Sequence, residues 1–359
     1  MRLARRFRSN RTVAPRPEPT ADAPTQAAPA GDATGPPIGR RIESLSAKYR
    51  RERDPLVAAR LVALRHEAFA EMPREPAPVW PPSYPDPFPE VSGRPPEIEA
   101  AELTSDMLGG AIRHHGCLLV RGLFSSDLVA LLRTDLDEAF KARAALAAGE
   151  TEKKAPYYRP FRSLPGYPHV GGQRKWIEEC GGVWVADSPP ALSDVIEAFR
   201  TTSVSQVVGE YLGEPPALSV NKCTLRRVGA ESFPSWHQDG AFLGDGVRAI
   251  DVWVSLTECG DDTNAPGLGI APRRFDHLLP TATEGAIIQH SIGKPEVVRA
   301  LDGLEIVHPH FRPGDALIFD ELFVHCTGMQ PGLTGQREAL ETWFFTPSTF
   351  PPTYAPLAL

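Results

Sequence analysis

The sequence predicts a mainly β domain with flanking helices, of the sandwich or jelly-roll kind. Two observations carry this. From about residue 217 onward the chain is a series of apolar, β-branched runs separated by Gly, Pro and Asp: ALSVNKCTLRRV, AIDVWVSLTEC, GLGIAP, LEIVHPHF, DALIFDELFVH and REALETWFFTP. Several short strands bounded by turn residues are the signature of a two-sheet β architecture. Helical periodicity is read in the residues before that point, and strands dominate after it. Hydrophobic residues make up 42% of the 359-residue chain, enough for a sizeable core.

Taken in order, residues 1–42 read as a basic, Pro/Ala-rich tail, too poor in large apolar groups to offset its ordering entropy and therefore expected to be disordered. Residues 43–96 read as a helical segment followed by a Pro-rich linker. Leu56, Val57, Leu61, Leu64 and Phe69 recur at near-helical spacing, and Pro55 suits the first turn of a second helix. Ten prolines between 73 and 96 predict an extended arm, with Trp80, Tyr84 and Phe88 as its attachment points. Residues 97–359 form the folded domain. It opens as helix, strand, turn, helix, with Thr104 or Ser105 capping the first helix and Ser125 or Ser126 the second. Residues 150–188 are irregular and carry Tyr157, Tyr158, Arg159, Arg162, Tyr167, Arg174, Lys175 and Trp176, a composition that fits either a lid over a pocket or a solvated loop. Helices near 189–200 and 201–213 then lead into the strands.

The net charge of −7 is uneven: residues 1–40 carry +4 and the remainder −11. An acidic body is a poor match for nucleic acid, and the basic start lacks the aromatic interleaving of a nucleic-acid arm. No apolar run is long enough to span a membrane, and none follows the basic start as a secretory signal requires. The Arg-rich start is also compatible with an organelle transit peptide. Five scattered cysteines without a CxxC pair point to reduced thiols and a cytoplasmic protein.

The stretch SFPSWHQDGAFLG places His237 and Asp239 two residues apart. On an extended strand such residues share a face, so an imidazole and a carboxylate would point together, with Gln238 turned away. These are two corners of a 2-His-1-carboxylate metal site, and a third His must come from elsewhere. His114, His115, His277 and His290 fall at boundaries or in loops, whereas His308 and His310 share one face of a predicted strand and could pair. His325 is the better placed, ending the apolar run DALIFDELFVH at a Gly-containing turn. Twelve residues later Arg337 opens the strand REALETWFF. An inward-facing Arg needs an anion. That anion is either a bound carboxylate or an internal acid such as Glu341 or Asp320.

In this order, HxD, then about 85 residues, then His and Arg, the sequence resembles the phytanoyl-CoA dioxygenase family of non-haem iron, 2-oxoglutarate-dependent oxygenases. WHQDGAFLG, VRAIDVWVSLTEC, RPGDALIFDELFVHCTG and QREALETWFF carry the resemblance, with HHGCLLVRGLFSSDLVALLRTDLDEAF as the opening strand and helix, over about residues 105–347. It implies a double-stranded β-helix (jelly roll, cupin-like) core. It implies Fe(II) held by His237, Asp239 and His325, with 2-oxoglutarate and O2 as co-substrates. Arg337 matches the residue that binds the distal carboxylate of 2-oxoglutarate. Trp253 falls where the family often has a Trp beside the co-substrate, a core aromatic being the other reading. Lys222, Thr224 and Arg226 alternate along a strand that often lines that pocket. The sequence departs from the family pattern after Pro272, where Arg273 and Arg274 alter the expected edge of the substrate pocket.

The activity implied is hydroxylation, or another oxidation, of an unactivated C–H bond of a small organic substrate, with release of succinate and CO2. Asp239 argues against halogenation, because related halogenases lack that carboxylate. Two other classes stay open: a non-catalytic β-sandwich that binds a small molecule, and a metal-dependent hydrolase using the same His2Asp set.

Overall fold

A computed structural model describes residues 36–77, 79–150, 157–168 and 171–359 of the chain. The first 35 residues of the basic tail lie outside the described residues. Two helices open the described chain, α1 (Ile38–Glu52) and α2 (Pro55–Ala68). Asp54 caps α2 through the Leu56 N–H, and Pro55 occupies its first turn. Val57, Leu61, Leu64 and Phe69 are buried, whereas Leu56 is 70% exposed and lies off the packed stripe. The two helices pack against helix α6 (Pro189–Thr201) and the last strand, β10 (Pro356–Ala358).

The Pro-rich arm then crosses helix α3 (Ser105–His115). Trp80 and Tyr84 pack on Tyr211, and Phe88 is buried. The crossing explains a glycine pair inside α3. A Cβ on Gly109 would collide with the Tyr84 ring, and one on Gly110 with the Pro85 carbonyl and the Pro87 ring. Glycine there costs helix propensity but admits the arm. Thr104 caps α3 through the Met107 N–H, and Ser125 caps α4 (Ser126–Ala147) through the Leu128 N–H. Helices α5 (Gly171–Glu179) and α7 (Val204–Leu212) complete the helical side.

Among the described residues the strands form one sheet of eight and one of two. The large sheet runs β1 (Glu97–Glu99), β2 (Cys117–Arg121), β7 (Ala316–Asp320), β5 (Ala249–Ser255), β9 (Gln336–Phe345), β4 (Ala217–Gly229) and β10, with β3 (Gly182–Trp184) also paired to β4. Only the β1–β2 pair within it is parallel. The small sheet pairs β6 (Gly267–Ile270) with β8 (His325–Gly328).

Period-two alternation decides which side chains meet the helices and which meet the small sheet. Leu118, Val120, Cys223, Leu225, Val252, Val254, Leu340 and Phe344 join a core with α3, α4, α6 and α7. The intervening residues Leu119, Trp253, Leu317, Ala339 and Trp343 face the small sheet with Leu268 and Phe311. The central strands are therefore buried on both faces and read as continuous apolar runs.

Two expected strands are corrected. Residues 304–311 make only isolated bridges, at Val307 and Phe311, because Pro309 lacks the donor a ladder requires. The run 315–325 is two strands separated by a turn: the Asp320 side chain accepts from the Leu322 N–H, and its carbonyl from the Phe323 N–H. His325 consequently begins β8 of the small sheet instead of ending a strand of the large one.

Candidate metal and co-substrate site

His237 and His325 are opposed residues of an antiparallel bridge. The His237 N–H donates to the His325 carbonyl at 3.0 Å, and the reverse bond is 3.1 Å. Directly opposed residues of an antiparallel pair present their side chains on the same face, and here the two imidazole centroids are 4.4 Å apart. Each ring donates Nδ1–H to a backbone carbonyl, His237 to Ser235 at 2.7 Å and His325 to Phe323 at 3.2 Å. A carbonyl can only accept, so Nδ1 carries a proton in both rings and Nε2 is the atom left for a metal, the arrangement that orients metal-ligating histidines. Burial, and then the neighbouring His237, push the pKa of His325 down to about 4, which keeps that ring neutral near pH 7.

Asp239 reaches the same point by a different route from the one the sequence suggested. Its backbone is helical, at φ −67° and ψ −27°, at the entry to the one-turn helix α8 (Gly240–Leu243). The i, i+2 pair is thus brought together by a turn, not by an extended strand. Asp239 Oδ1 lies 3.7 Å from His237 Nε2, and Oδ2 lies 3.6 Å from His325 Nε2. One ligand atom from each of the three residues falls within 4.8 Å of the others.

Gln238 fixes that turn, a role the sequence reading missed. It is buried, donates to the carbonyls of His277 and Leu322, and accepts from the Leu279 N–H. Its signal was its place between two ligands, where a side chain turned away from the metal faces the loop beneath. Gly240 completes the turn, because a Cβ there would meet Leu278 at 2.9 Å. His308 and His310 take no part in the cluster: His310 pairs with Glu258, and His308 is half-buried elsewhere.

The triad lines a cavity of about 850 Å³ that also receives Lys222, Thr224 and Arg226 from β4, Asp251 and Trp253 from β5, and Arg337, Glu341 and Trp343 from β9. Strand alternation accounts for each of these groups. Arg337 is 1% exposed and donates through Nη1 to the carbonyls of Pro266 and Gly267. Among the described residues no carboxylate pairs with it. Both internal acids considered for that role are taken: Glu341 pairs with Arg226 at 2.8 Å, and Asp320 pairs with Arg274. Burial draws the pKa of Arg337 below the ordinary arginine value. The Nε atom of Arg337 and the Nε1 atom of Trp253 are both buried without a partner, and the guanidinium carbon stands 5.3 Å from the Trp253 ring centroid. Two orphaned donors beside one uncompensated cation fit a bound carboxylate. Thr224 is less available, since its hydroxyl donates to Glu341. Lys222 Nζ stands 3.9 Å from the Phe242 ring centroid.

Of the aromatic and basic residues in 150–188, Trp176 lines the cavity mouth with Gln173 and Ile177. Tyr157, Arg159, Arg162 and Lys175 are exposed, whereas Tyr158 and Arg174 staple the segment to the body. Arg174 forms a two-pronged ion pair with Asp187, which is fully buried and also accepts from the Phe161 N–H and the Tyr158 hydroxyl. Residues 151–156 and 169–170 of this segment lie outside the described residues. Arg273 and Arg274 turn away from the cavity, toward the Ala300 carbonyl and toward Asp320 and Asp276.

No family model matches the chain, and no curated protein matches it. Among solved structures, the chain is similar to AviO1 from Streptomyces viridochromogenes Tue57, at 16% identity and a TM-score of 0.43, over 67% of this chain and 94% of that one. It is similar to SnoK, a non-haem alpha-ketoglutarate-dependent carbocyclase from nogalamycin biosynthesis, at 14% and 0.44, over 69% and 86% of the two chains. It is also similar to the epimerase SnoN, solved with Fe3+, alpha-ketoglutarate and nogalamycin RO, at 19% and 0.41, over 67% and 83%. Likeness at this level carries no functional weight; the geometry of the site does. Among the described residues no helix is long and apolar enough to cross a membrane.

Proposed function

We propose that this chain is an Fe(II)- and 2-oxoglutarate-dependent oxygenase acting on a small organic substrate, built on a double-stranded β-helix of which the two sheets form the core. The observation that carries the reading is the pairing of a His2Asp cluster with a buried arginine for which the described residues supply no acidic partner. His237 and His325 offer their Nε2 atoms, and Asp239 offers a carboxylate oxygen. This donor set suits iron(II) with open coordination positions. Bound there with 2-oxoglutarate and O2, the metal supplies the oxidation of an unactivated C–H bond, with succinate and CO2 as co-products.

Arg337 holds the distal carboxylate of 2-oxoglutarate, and Trp253 donates its indole N–H to the same group. Arg226 neutralises Glu341 between Arg337 and the triad, which keeps that acid from competing for the Arg337 guanidinium. Gln238 holds the turn that sets Asp239 between the two imidazoles. The backbone carbonyls of Ser235 and Phe323 fix the ring tautomers.

A metal-dependent hydrolase would account for the triad but leaves Arg337 and Trp253 without a ligand. A screen for succinate release separates the classes. Oxygenase activity gives iron-dependent conversion of 2-oxoglutarate to succinate that a chelator abolishes, and a product one oxygen heavier or two hydrogens lighter than its substrate. Substrate turnover independent of 2-oxoglutarate would assign the site to hydrolysis.

A further inference from the structure

Among the described residues Lys222 is the second cation of the cavity that forms no ion pair; it shares a face with Thr224 and Arg226 and stands at the edge of an irregularity in β4. Leu218 pairs with Phe344 and Cys223 with Thr342, so residues 219–222 stand opposite Trp343 alone. Bulges of this kind re-aim a side chain beside an active site. This one is held in place: Asn221 accepts from the Ala355 N–H and donates to Gln173, and the Val220 N–H donates to the Ala355 carbonyl. Lys222 is thereby aimed into the cavity, with its ammonium over the face of Phe242. Phe242 lies 6.2 Å from the His237 ring, so the cation is next to the metal ligands.

Arg337 marks the other end. It pairs across from Val228, five residues along β4 from Cys223, a separation of about 17 Å between strand positions. Under the oxygenase reading, on which this inference rests, both carboxylates of 2-oxoglutarate are accounted for, one at the metal and one at Arg337. Glu341 is committed to Arg226. Asp251 is buried with one carboxyl oxygen unpartnered, and burial holds it toward its neutral form; of the other acids lining the cavity, Glu178 accepts from the Tyr158 hydroxyl, Glu179 pairs with Lys175, and Glu231 forms no ion pair among the described residues. Among the described residues Lys222 forms no ion pair, and its ammonium rests against an aromatic face.

We infer that Lys222 is the substrate anchor, and that the substrate is a small carboxylic acid with a flat apolar body. The carboxylate meets Lys222, and the body lies against Phe242 and Trp343 toward the cavity mouth at Trp176. Buried ion pairing supplies the affinity, and the aromatic walls supply the shape.

The test uses the full chain, with and without excess 2-oxoglutarate. The probes are phenylacetate, cinnamate and naphthoate, each beside its methyl ester, read by calorimetry and by quenching of tryptophan fluorescence. The best acid should bind at least about tenfold more tightly than its ester. Lys222→Met should erase that preference and Lys222→Arg should keep it, both with unchanged circular dichroism. With 2-oxoglutarate present, Arg337→Met should leave the preference intact. Equal affinity of acid and ester, no binding of any acid at millimolar concentration, or a preference that survives Lys222→Met would overturn the proposal. So would a Lys222→Met variant that loses 2-oxoglutarate instead of the acid. Failure of the oxygenase reading itself shows separately, as wild-type protein that does not bind 2-oxoglutarate at all.

Discussion

Arg337 is where stability and function part company in this chain. A buried guanidinium with an unpartnered Nε is a cost to the ligand-free fold. Arg337→Met should therefore raise, or at least not lower, the melting temperature of the ligand-free protein. The same change should weaken 2-oxoglutarate binding about a hundredfold, the usual consequence of losing a desolvated charge pair. A purely structural arginine would show the opposite, a lowered melting temperature with co-substrate binding intact, and calorimetry on the two proteins distinguishes the cases. His237→Ala and Asp239→Ala each remove a ligand, and full iron binding in either, by equilibrium dialysis, would contradict the triad. The residues of this site were legible in the sequence through the order HxD, His325, Arg337, although the extended strand expected to bring His237 and Asp239 together is a turn. Gln238 was not, since its work is done on the loop behind the metal and depends on where residues 277–279 and 322 lie.

At the scale of elements, strand period was the most readable signal. Lys222, Thr224 and Arg226 share a face of β4 as alternation requires, and so do Asp251 and Trp253 on β5. The misreadings have named causes. Pro309 interrupted one apolar run, and the Asp320 turn divided another, moving His325 onto a different sheet. Both signals were present as residues, but apolar composition outweighed them. The segment over the cavity mouth illustrates what composition leaves open. Its basic and aromatic residues fitted a lid or a solvated loop equally, and the outcome depends on one acid 13 residues from Arg174 in sequence. Asp187→Ala leaves Arg174 largely buried without an acidic partner and should cost about 3–5 kcal/mol in urea unfolding. It should also loosen α5 and with it the cavity mouth, detectable as faster amide exchange over 171–179. Unchanged stability would show that the staple does not hold the segment.

Across the whole molecule, helix α2, the segment before α5 and the C-terminal strand meet at His66. Its Nδ1–H donates to the Pro356 carbonyl at 2.7 Å, and its Nε2 accepts from the Leu164 N–H at 3.1 Å, so one neutral imidazole ties α2 to β10 and to the segment before α5. Burial holds the pKa of His66 below its ordinary value of 6.5, and does the same to His308. The unfolded chain therefore binds more protons than the folded one as pH falls under that value, and stability must decline with acidification from there downward. Urea midpoints measured between neutral and mildly acidic pH should show this decline, with a shallower slope in His66→Gln. An equal slope in the two proteins would remove His66 from the account.

The central claim is that one site binds iron and 2-oxoglutarate together, and anaerobic titration of the purified chain with Fe(II) and then 2-oxoglutarate tests it most directly. The account predicts a weak visible charge-transfer band that saturates at one iron and one 2-oxoglutarate per chain, is absent in Asp239→Ala, and needs far more 2-oxoglutarate in Arg337→Met. Iron bound at the triad with no such band at any 2-oxoglutarate concentration, or a band that persists undiminished in Asp239→Ala, would contradict it.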